Sequence, residues 1–227
     1  MASPAEPHDH AGRALLDDLL DERNRHCGDT AEIDDRIRRT FERTVAILVL
    51  DMIGFSRLTQ KHGIIHYLAM IERMRVAARP AVEGNGGRVI KYDADNLFAT
   101  FGTPAEALEA ALDILRSFDA VNDVTPCDRD LYGSFGIGFG PTLVVDGEDL
   151  FGGEMNLASK LGEDIAQASE IILTAAAHAA LPPDLYRCDP SRFDLGGLGL
   201  DCYYFRSKFR PDGRPIVPTA RQRRPEA

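Results

Sequence analysis

Apolar positions in the chain switch between strand-like and helix-like rhythms. Residues 44–52 contain the unbroken run Val45-Ala46-Ile47-Leu48-Val49-Leu50, closed by Asp51. A short run of this kind predicts a central strand covered on both faces. Over residues 57–79 the spacing becomes helical, through Leu58, Ile64, Ile65, Leu68, Ile71, Met74 and Ala78, and Gly84-Asn85-Gly86-Gly87 stops it. Residues 88–92 and 97–101 predict two short strands, with Asp93-Ala94-Asp95-Asn96 as the tight turn between them. Thr103-Pro104-Ala105-Glu106 combines an N-cap, a first-turn proline and a capping-box acid, and Leu108, Leu112 and Leu115 continue the helix. Residues 131–145 predict a long strand carrying Gly133, Gly136, Gly138 and Gly140. A helix over 155–166 and strands over 170–174 and 203–205 complete the pattern. The fold class is α/β of the α+β kind: strand–helix–strand–strand–helix–strand is the βαββαβ order of a ferredoxin-like sheet, here with an added helix and strands.

Two flanking segments fall outside that order. Residues 1–43 read as an extension of two short amphipathic helices, one striped by Leu15, Leu16, Leu19 and Leu20, the other by Ile33, Ile37 and Phe41. Such stripes cover either the chain's own domain or a partner chain, and periodicity does not choose between them. Residues 44–206 read as one domain. Residues 207–227, rich in Arg and Pro without periodicity, read as a flexible basic tail.

Composition narrows the class. Of the 227 residues 44% are hydrophobic, enough for a core without staples. The longest aliphatic run has six residues against the about 20 a membrane span needs. Residues 1–12 carry acids and histidines and no apolar stretch, unlike a secretory signal. Lys plus Arg number 26 and Asp plus Glu 36, a net charge of −10 that argues against nucleic acid as a partner. Cys27, Cys127, Cys188 and Cys202 form no CxxC pair and fit reduced thiols in a cytoplasmic protein.

The chemistry concentrates at two strand ends. Asp51 closes the first strand and Asp95 sits in the hairpin turn, and in a ferredoxin-like sheet these lie side by side. Paired carboxylates suit two Mg²⁺ or Mn²⁺ ions of the kind that clamp a transferring phosphoryl group. The turn Met52-Ile53-Gly54-Phe55-Ser56 then enters a helix, whose first amides can hold phosphate oxygens.

Four spaced motifs resemble those of class III nucleotidyl cyclases. Leu50-Asp51-Met52-Ile53-Gly54-Phe55-Ser56 resembles the family's first metal motif, and Gly86-Gly87-Arg88-Val89-Ile90-Lys91-Tyr92-Asp93-Ala94-Asp95 the second. Gly136-Ile137-Gly138-Phe139-Gly140-Pro141 is similar to its glycine-rich dimer-arm strand, and the stretch from Asp149 to Lys160 to its third motif. The resemblance covers roughly 44–206 and implies the class III cyclase catalytic-domain fold. It also implies a head-to-tail homodimer with shared active sites. Asp51 and Asp95 would then bind two Mg²⁺ or Mn²⁺, with the Met52 carbonyl as a further ligand. Lys91 and Asp149 match the base-selecting pair, Asn156 the residue that orients the ribose, and Lys160 the family's transition-state arginine. A lysine donor and an aspartate acceptor fit an adenine edge, so ATP is expected over GTP. Cytosine shows the same edge pattern, and a silent nucleotide-binding or dimerisation module is the alternative to an enzyme. Asn156 and Lys160, four residues apart, share one helical face.

Three positions depart from the family pattern. Lys160 lacks the planar fork of arginine, residues 195–200 contain no lysine for the triphosphate, and Ala94 stands where glycine is usual. Three other patterns carry less. Gly152-Gly153-Glu154-Met155 resembles a diguanylate cyclase hairpin but opens a helix. His62 and His66 have metal spacing without a Glu between them and read as surface or core histidines. Glu163-Asp164 reads as a solvated acid pair.

Overall fold

A computed structural model describes residues 12–26, 28–195, 198–209 and 215–216. The apolar run folds as β1 (Glu42–Met52), and it is central, flanked by antiparallel neighbours on both sides. Two helices follow, α3 (Phe55–His62) and α4 (Ile64–Gly84). The hairpin β2 (Arg88–Asp93) and β3 (Asn96–Phe101), the helix α5 (Pro104–Asn122) and the long strand β4 (Gly133–Val145) complete the βαββαβ unit. The strand order β2-β3-β1-β4 is that of the ferredoxin-like core, and β4 continues it to β6 (Ile171–Thr174), β8 (Leu198–Phe209) and the edge strand β7 (Tyr186–Leu195). Short strands β5 (Asp149–Phe151) and β9 (Pro215–Ile216) pair with β4 and β8.

Alternation along β1 divides the core between two faces. Leu48 and Leu50 are buried with Tyr67, Met70 and Met74 of α4 and Leu108, Ala111 and Phe118 of α5. Ile47 and Val49 point the other way, to Phe98, Leu150 and the helix α6 (Gly153–Ser159) through Met155 and Ala158. The capping box of α5 forms as expected: Glu106 donates its N–H to Thr103 Oγ1 at 3.3 Å and accepts the Thr103 N–H at 3.0 Å.

The structure corrects several expectations. The helix expected over 57–79 is two helices, because Gly63 takes φ +86° between them, a conformation open to glycine. The helix expected over 155–166 ends at Ser159 and continues as a π turn, Lys160–Ile165. The end of α6 and that turn cross β4 backbone to backbone: a Cβ on Gly136 would lie 1.9 Å from the Ala158 carbonyl oxygen and 2.7 Å from the Gly162 nitrogen. The last strand is far longer than 203–205 and pairs with a second, β7, which the sequence hides. β7 is an exposed edge whose Pro190 and alternating charges mask its period, as edge strands commonly do. β8 itself runs to Phe209, and β9 adds Pro215–Ile216 to the same sheet. Most of residues 207–227, assigned above to a basic tail, lie outside the described residues.

The N-terminal helices α1 (Arg13–Arg25) and α2 (Ala31–Phe41) both form. Their stripes meet each other and β4: Leu16, Leu19, Ile33, Ile37 and Phe41 are buried with Val145. Leu15 and Leu20, expected in the stripe, stay 44% and 39% exposed. Cys127, Cys188 and Cys202 are free thiols, and Cys27 lies outside the described residues. Among the described residues no helix is long and apolar enough to cross a membrane.

Candidate active site

The register of β1 positions the first carboxylate. Asp51 lies opposite Asn96 on β3 and Ser134 on β4, one residue from the β2–β3 turn that carries Asp95. Asp51, Met52, Ile53, Gly54, Phe55, Ser56, Arg57, Asp95, Ser134, Glu163 and Ala166 line one open cleft of about 480 Å³. The two carboxylates expected together are therefore together.

Their electrostatics are those of like charges crowded into a partly buried cleft. Burial, then the charges of Asp95, Glu163 and Asp164, push the Asp51 carboxyl up to about 7. Burial likewise leads the upward shift of Glu163, with Asp164 and Asp93 adding to it and a hydrogen bond to Ser159 opposing it. Crowded hard oxygen donors of like charge are stabilised by a divalent cation. Asp95 is held from the core side: Tyr67, fully buried on α4, donates its hydroxyl to Asp95 Oδ2 at 2.7 Å. Burial and that bond to a carboxylate raise the Tyr67 phenol, so it stays a donor. The Tyr67 ring also meets Phe55 edge-on, centroids 4.9 Å apart.

The turn after β1 behaves as a helix N-terminus with one exception. Gly54 is its N-cap at φ +109°, and the amides of Gly54, Phe55 and Ser56 have no acceptor within α3. Ile53, expected among them, instead gives its N–H to the Tyr132 carbonyl at 2.9 Å. Met52 buries its side chain in the core, 2% exposed.

The remaining expected residues lie outside that cleft. Lys91 Nζ pairs with Asp149 Oδ1 at 2.8 Å, and Lys91 also sits over the Phe98 ring, 4.9 Å from its centroid. Arg13 of α1 approaches the other Asp149 oxygen at 3.7 Å. Burial alone would raise the Asp149 carboxyl. Hydrogen bonds from Lys91 and the Leu150 N–H, with the charges of Lys91 and Arg13, outweigh it and hold the group below the usual carboxylate range. Asn156 and Lys160 keep their helical spacing, since the Lys160 N–H bonds the Asn156 carbonyl. Lys160 is engaged by Asp164 in an ion pair. Glu163-Asp164 is thus not a plain solvated pair: Glu163 borders the cleft and Asp164 holds Lys160.

Sequence reading missed Tyr67, Arg57, Ser134 and Glu163. Tyr67 occupies an apolar helical position, and its hydroxyl partner is 28 residues away. Arg57 follows the quoted turn by one residue and only the fold shows that it faces the cleft.

Comparison with known proteins agrees with this geometry. No protein-family model matches the chain. A Rhizobium meliloti protein provisionally named adenylate cyclase 3 is 30% identical over 144 residues, 63% of this chain and 24% of that protein. An adenylate cyclase of Streptomyces coelicolor is 29% identical over 163 residues, 68% of this chain and 39% of its own length. The chain thus spans well under half of these curated relatives. Among solved structures, an adenylate/guanylate cyclase/hydrolase from Silicibacter pomeroyi superposes with a TM-score of 0.59 at 25% identity, covering 72% of this chain and 96% of that one. The catalytic core of a rhodopsin-guanylyl cyclase with converted specificity, in complex with ATPαS, gives 0.64 at 16% identity over 74% of this chain and 98% of its own. By fold and by sequence the chain is thus similar to class III adenylate/guanylate cyclase catalytic domains. The described residues carry the two carboxylates, the helix-opening turn after β1 and the Lys91–Asp149 pair.

Proposed function

We propose that this domain is an adenylate cyclase, converting ATP to 3′,5′-cyclic AMP and pyrophosphate at sites shared by two copies of the chain. The observation that carries the reading is the convergence of Asp51 and Asp95 in one cleft beside a helix N-terminus, with Asp51 raised by burial and then by surrounding negative charge.

Mg²⁺ or Mn²⁺, two per site, fits this donor set, held by Asp51, Asp95 and the Met52 carbonyl; when bound it supplies activation of the ribose 3′-hydroxyl and neutralisation of the attacked α-phosphate. The chain's own residues do the rest. The amides of Gly54, Phe55 and Ser56 face the phosphates, and Arg57 adds a cation at the same mouth. Tyr67 fixes Asp95 so that its oxygens need not reorganise. Lys91 and Asp149 read the base, Lys91 donating to the ring nitrogen and Asp149 accepting from the amino group. Asn156 orients the ribose, and Lys160 stabilises the charge on the phosphoryl group as pyrophosphate leaves.

Two features support a homodimer. Lys91, Asp149, Asn156 and Lys160 do not line the cleft of their own chain, as expected if they serve a partner's. The α4 surface also exposes Ile65 (82%), Leu68 (55%) and Val76 (67%), an apolar face suited to burial between copies.

The Lys160–Asp164 ion pair favours a second reading, a nucleotide-binding module that does not cyclise. Purified protein with Mn²⁺ and each nucleoside triphosphate distinguishes the two. Cyclic AMP formation, abolished by Asp51→Ala, supports the cyclase. ATP binding with no pyrophosphate release from any triphosphate supports the module.

A further inference from the structure

A second cluster of metal-binding side chains stands apart from the cleft. His62 is the last residue of α3 and His66 lies in the first turn of α4. Across the helix break at Gly63 their rings stack, centroids 4.7 Å apart and planes within 26°. Asp128 comes from a single 3₁₀ turn, Cys127–Arg129, beyond α5. One ring nitrogen of each histidine and one Asp128 carboxylate oxygen lie within 4.8 Å of one another, and all three residues are half-buried.

We propose that His62, His66 and Asp128 form a binding site for a divalent transition-metal ion of the Zn²⁺ type. Two imidazoles and a carboxylate are borderline donors that select Zn²⁺ over the harder Mg²⁺. Three protein ligands with water in the fourth position is a recurrent zinc arrangement. Ligand atoms on one tetrahedral zinc sit about 3.3 Å apart, so atoms within 4.8 Å of one another close by at most about 1.5 Å, a span side-chain rotation covers.

The site is also braced in advance. His66 Nε2 lies 2.9 Å from the Asp128 carbonyl oxygen. A tautomer donating along that contact leaves Nδ1 with the lone pair a metal takes, the outer-shell device that orients many ligating histidines. Arg73 of α4 donates to the Arg129 carbonyl at 3.2 Å, fixing the same turn a second time. The loop that carries Asp128 is thus already docked on the helix that carries His66. A bound ion would tie α3, the helix that begins at the turn after β1, to α4 and to the 3₁₀ turn beyond α5. The proposal does not depend on the cyclase reading, because none of the three residues lines the cleft.

The test uses the full chain carrying Asp51→Asn, so that the cleft carboxylates do not compete for the probe. After equilibration with ZnCl₂ and gel filtration, one zinc per chain is expected, with a raised melting temperature and perturbed histidine ring resonances. His62→Gln and Asp128→Asn added to that background should each weaken zinc binding at least about tenfold, while their zinc-free melts stay close to the parent's. Zinc retention unchanged by His62→Gln, or no zinc bound by the Asp51→Asn chain, would overturn the site.

Discussion

The Tyr67 hydroxyl donates to Asp95 Oδ2 at 2.7 Å, tying a carboxylate at the cleft to a fully buried helix residue. In the proposed cyclase Tyr67 is therefore a positioning residue, acting only through Asp95. Tyr67→Phe keeps the packing and removes the bond. A lost neutral-to-charged hydrogen bond costs about 1.5–3 kcal/mol, which lowers Tm by roughly 3–12 °C for a domain of this size. The Mn²⁺ concentration for half-maximal activity should rise several-fold. A variant with unchanged metal dependence would assign Tyr67 a packing role alone.

Asp51 costs stability when no cation is bound. An ordinary aspartate titrates near about 3.9, whereas Asp51 is pushed up to about 7. Between those values the folded chain keeps a proton that the unfolded chain has released, so stability falls as pH rises from about 4 to about 7. Asp51→Asn should therefore raise Tm of the metal-free protein at pH 8 and change it little at pH 4. Added Mn²⁺ should raise the wild-type Tm at pH 8 and the variant's much less. Thermal melts at the two pH values decide this, and equal effects at both would remove the charge argument.

Lys160 is engaged by Asp164, and both side chains are largely exposed, so the pair adds little to stability. Asp164→Asn should free the lysine and raise kcat without altering Tm by more than a degree or two. Lys160→Arg should raise kcat as well, because a guanidinium fits a spread phosphoryl charge better. Lys160→Ala should lower kcat by roughly a hundredfold. Steady-state kinetics on the three variants check the order, and an unaltered kcat in Lys160→Ala would take the residue out of the mechanism.

Base choice should follow the Lys91–Asp149 pair at 2.8 Å. Lys91→Glu combined with Asp149→Cys exchanges donor for acceptor and should shift preference from ATP towards GTP. Competition between the two triphosphates reads this out. Retained ATP preference would place the base elsewhere. Arg13→Ala, which removes the 3.7 Å approach to Asp149, should raise KM for ATP and leave kcat unchanged.

How far the sequence reveals this molecule depends on the range of each signal. β1 is legible because its apolar run needs no partner to be recognised, and α5 because Thr103 and Glu106 cap it locally. The Asp51 and Asp95 pairing follows once the hairpin is placed beside β1, since β-pairing register carries it. What stays hidden is tertiary. Gly63 breaks a helix whose apolar spacing runs straight through it. β7 gains its order from β8, and its own pattern of Arg, Asp and Pro does not announce a strand. The hydroxyl of Tyr67, the Asp164 contact to Lys160 and the Asp128 carboxylate beside two histidines all depend on neighbours that only the fold supplies.

The central claim is a cyclase site assembled from two chains, with Asp51 on one and Asn156 on the other. Asp51→Ala and Asn156→Ala proteins should each be silent with ATP and Mn²⁺. Mixed in equal amounts and allowed to exchange, they should recover at most about a quarter of wild-type cyclic AMP formation, since half the dimers are mixed and each holds one intact site. No recovery from mixed dimers whose formation is verified, or no product from the wild-type chain, would contradict the account.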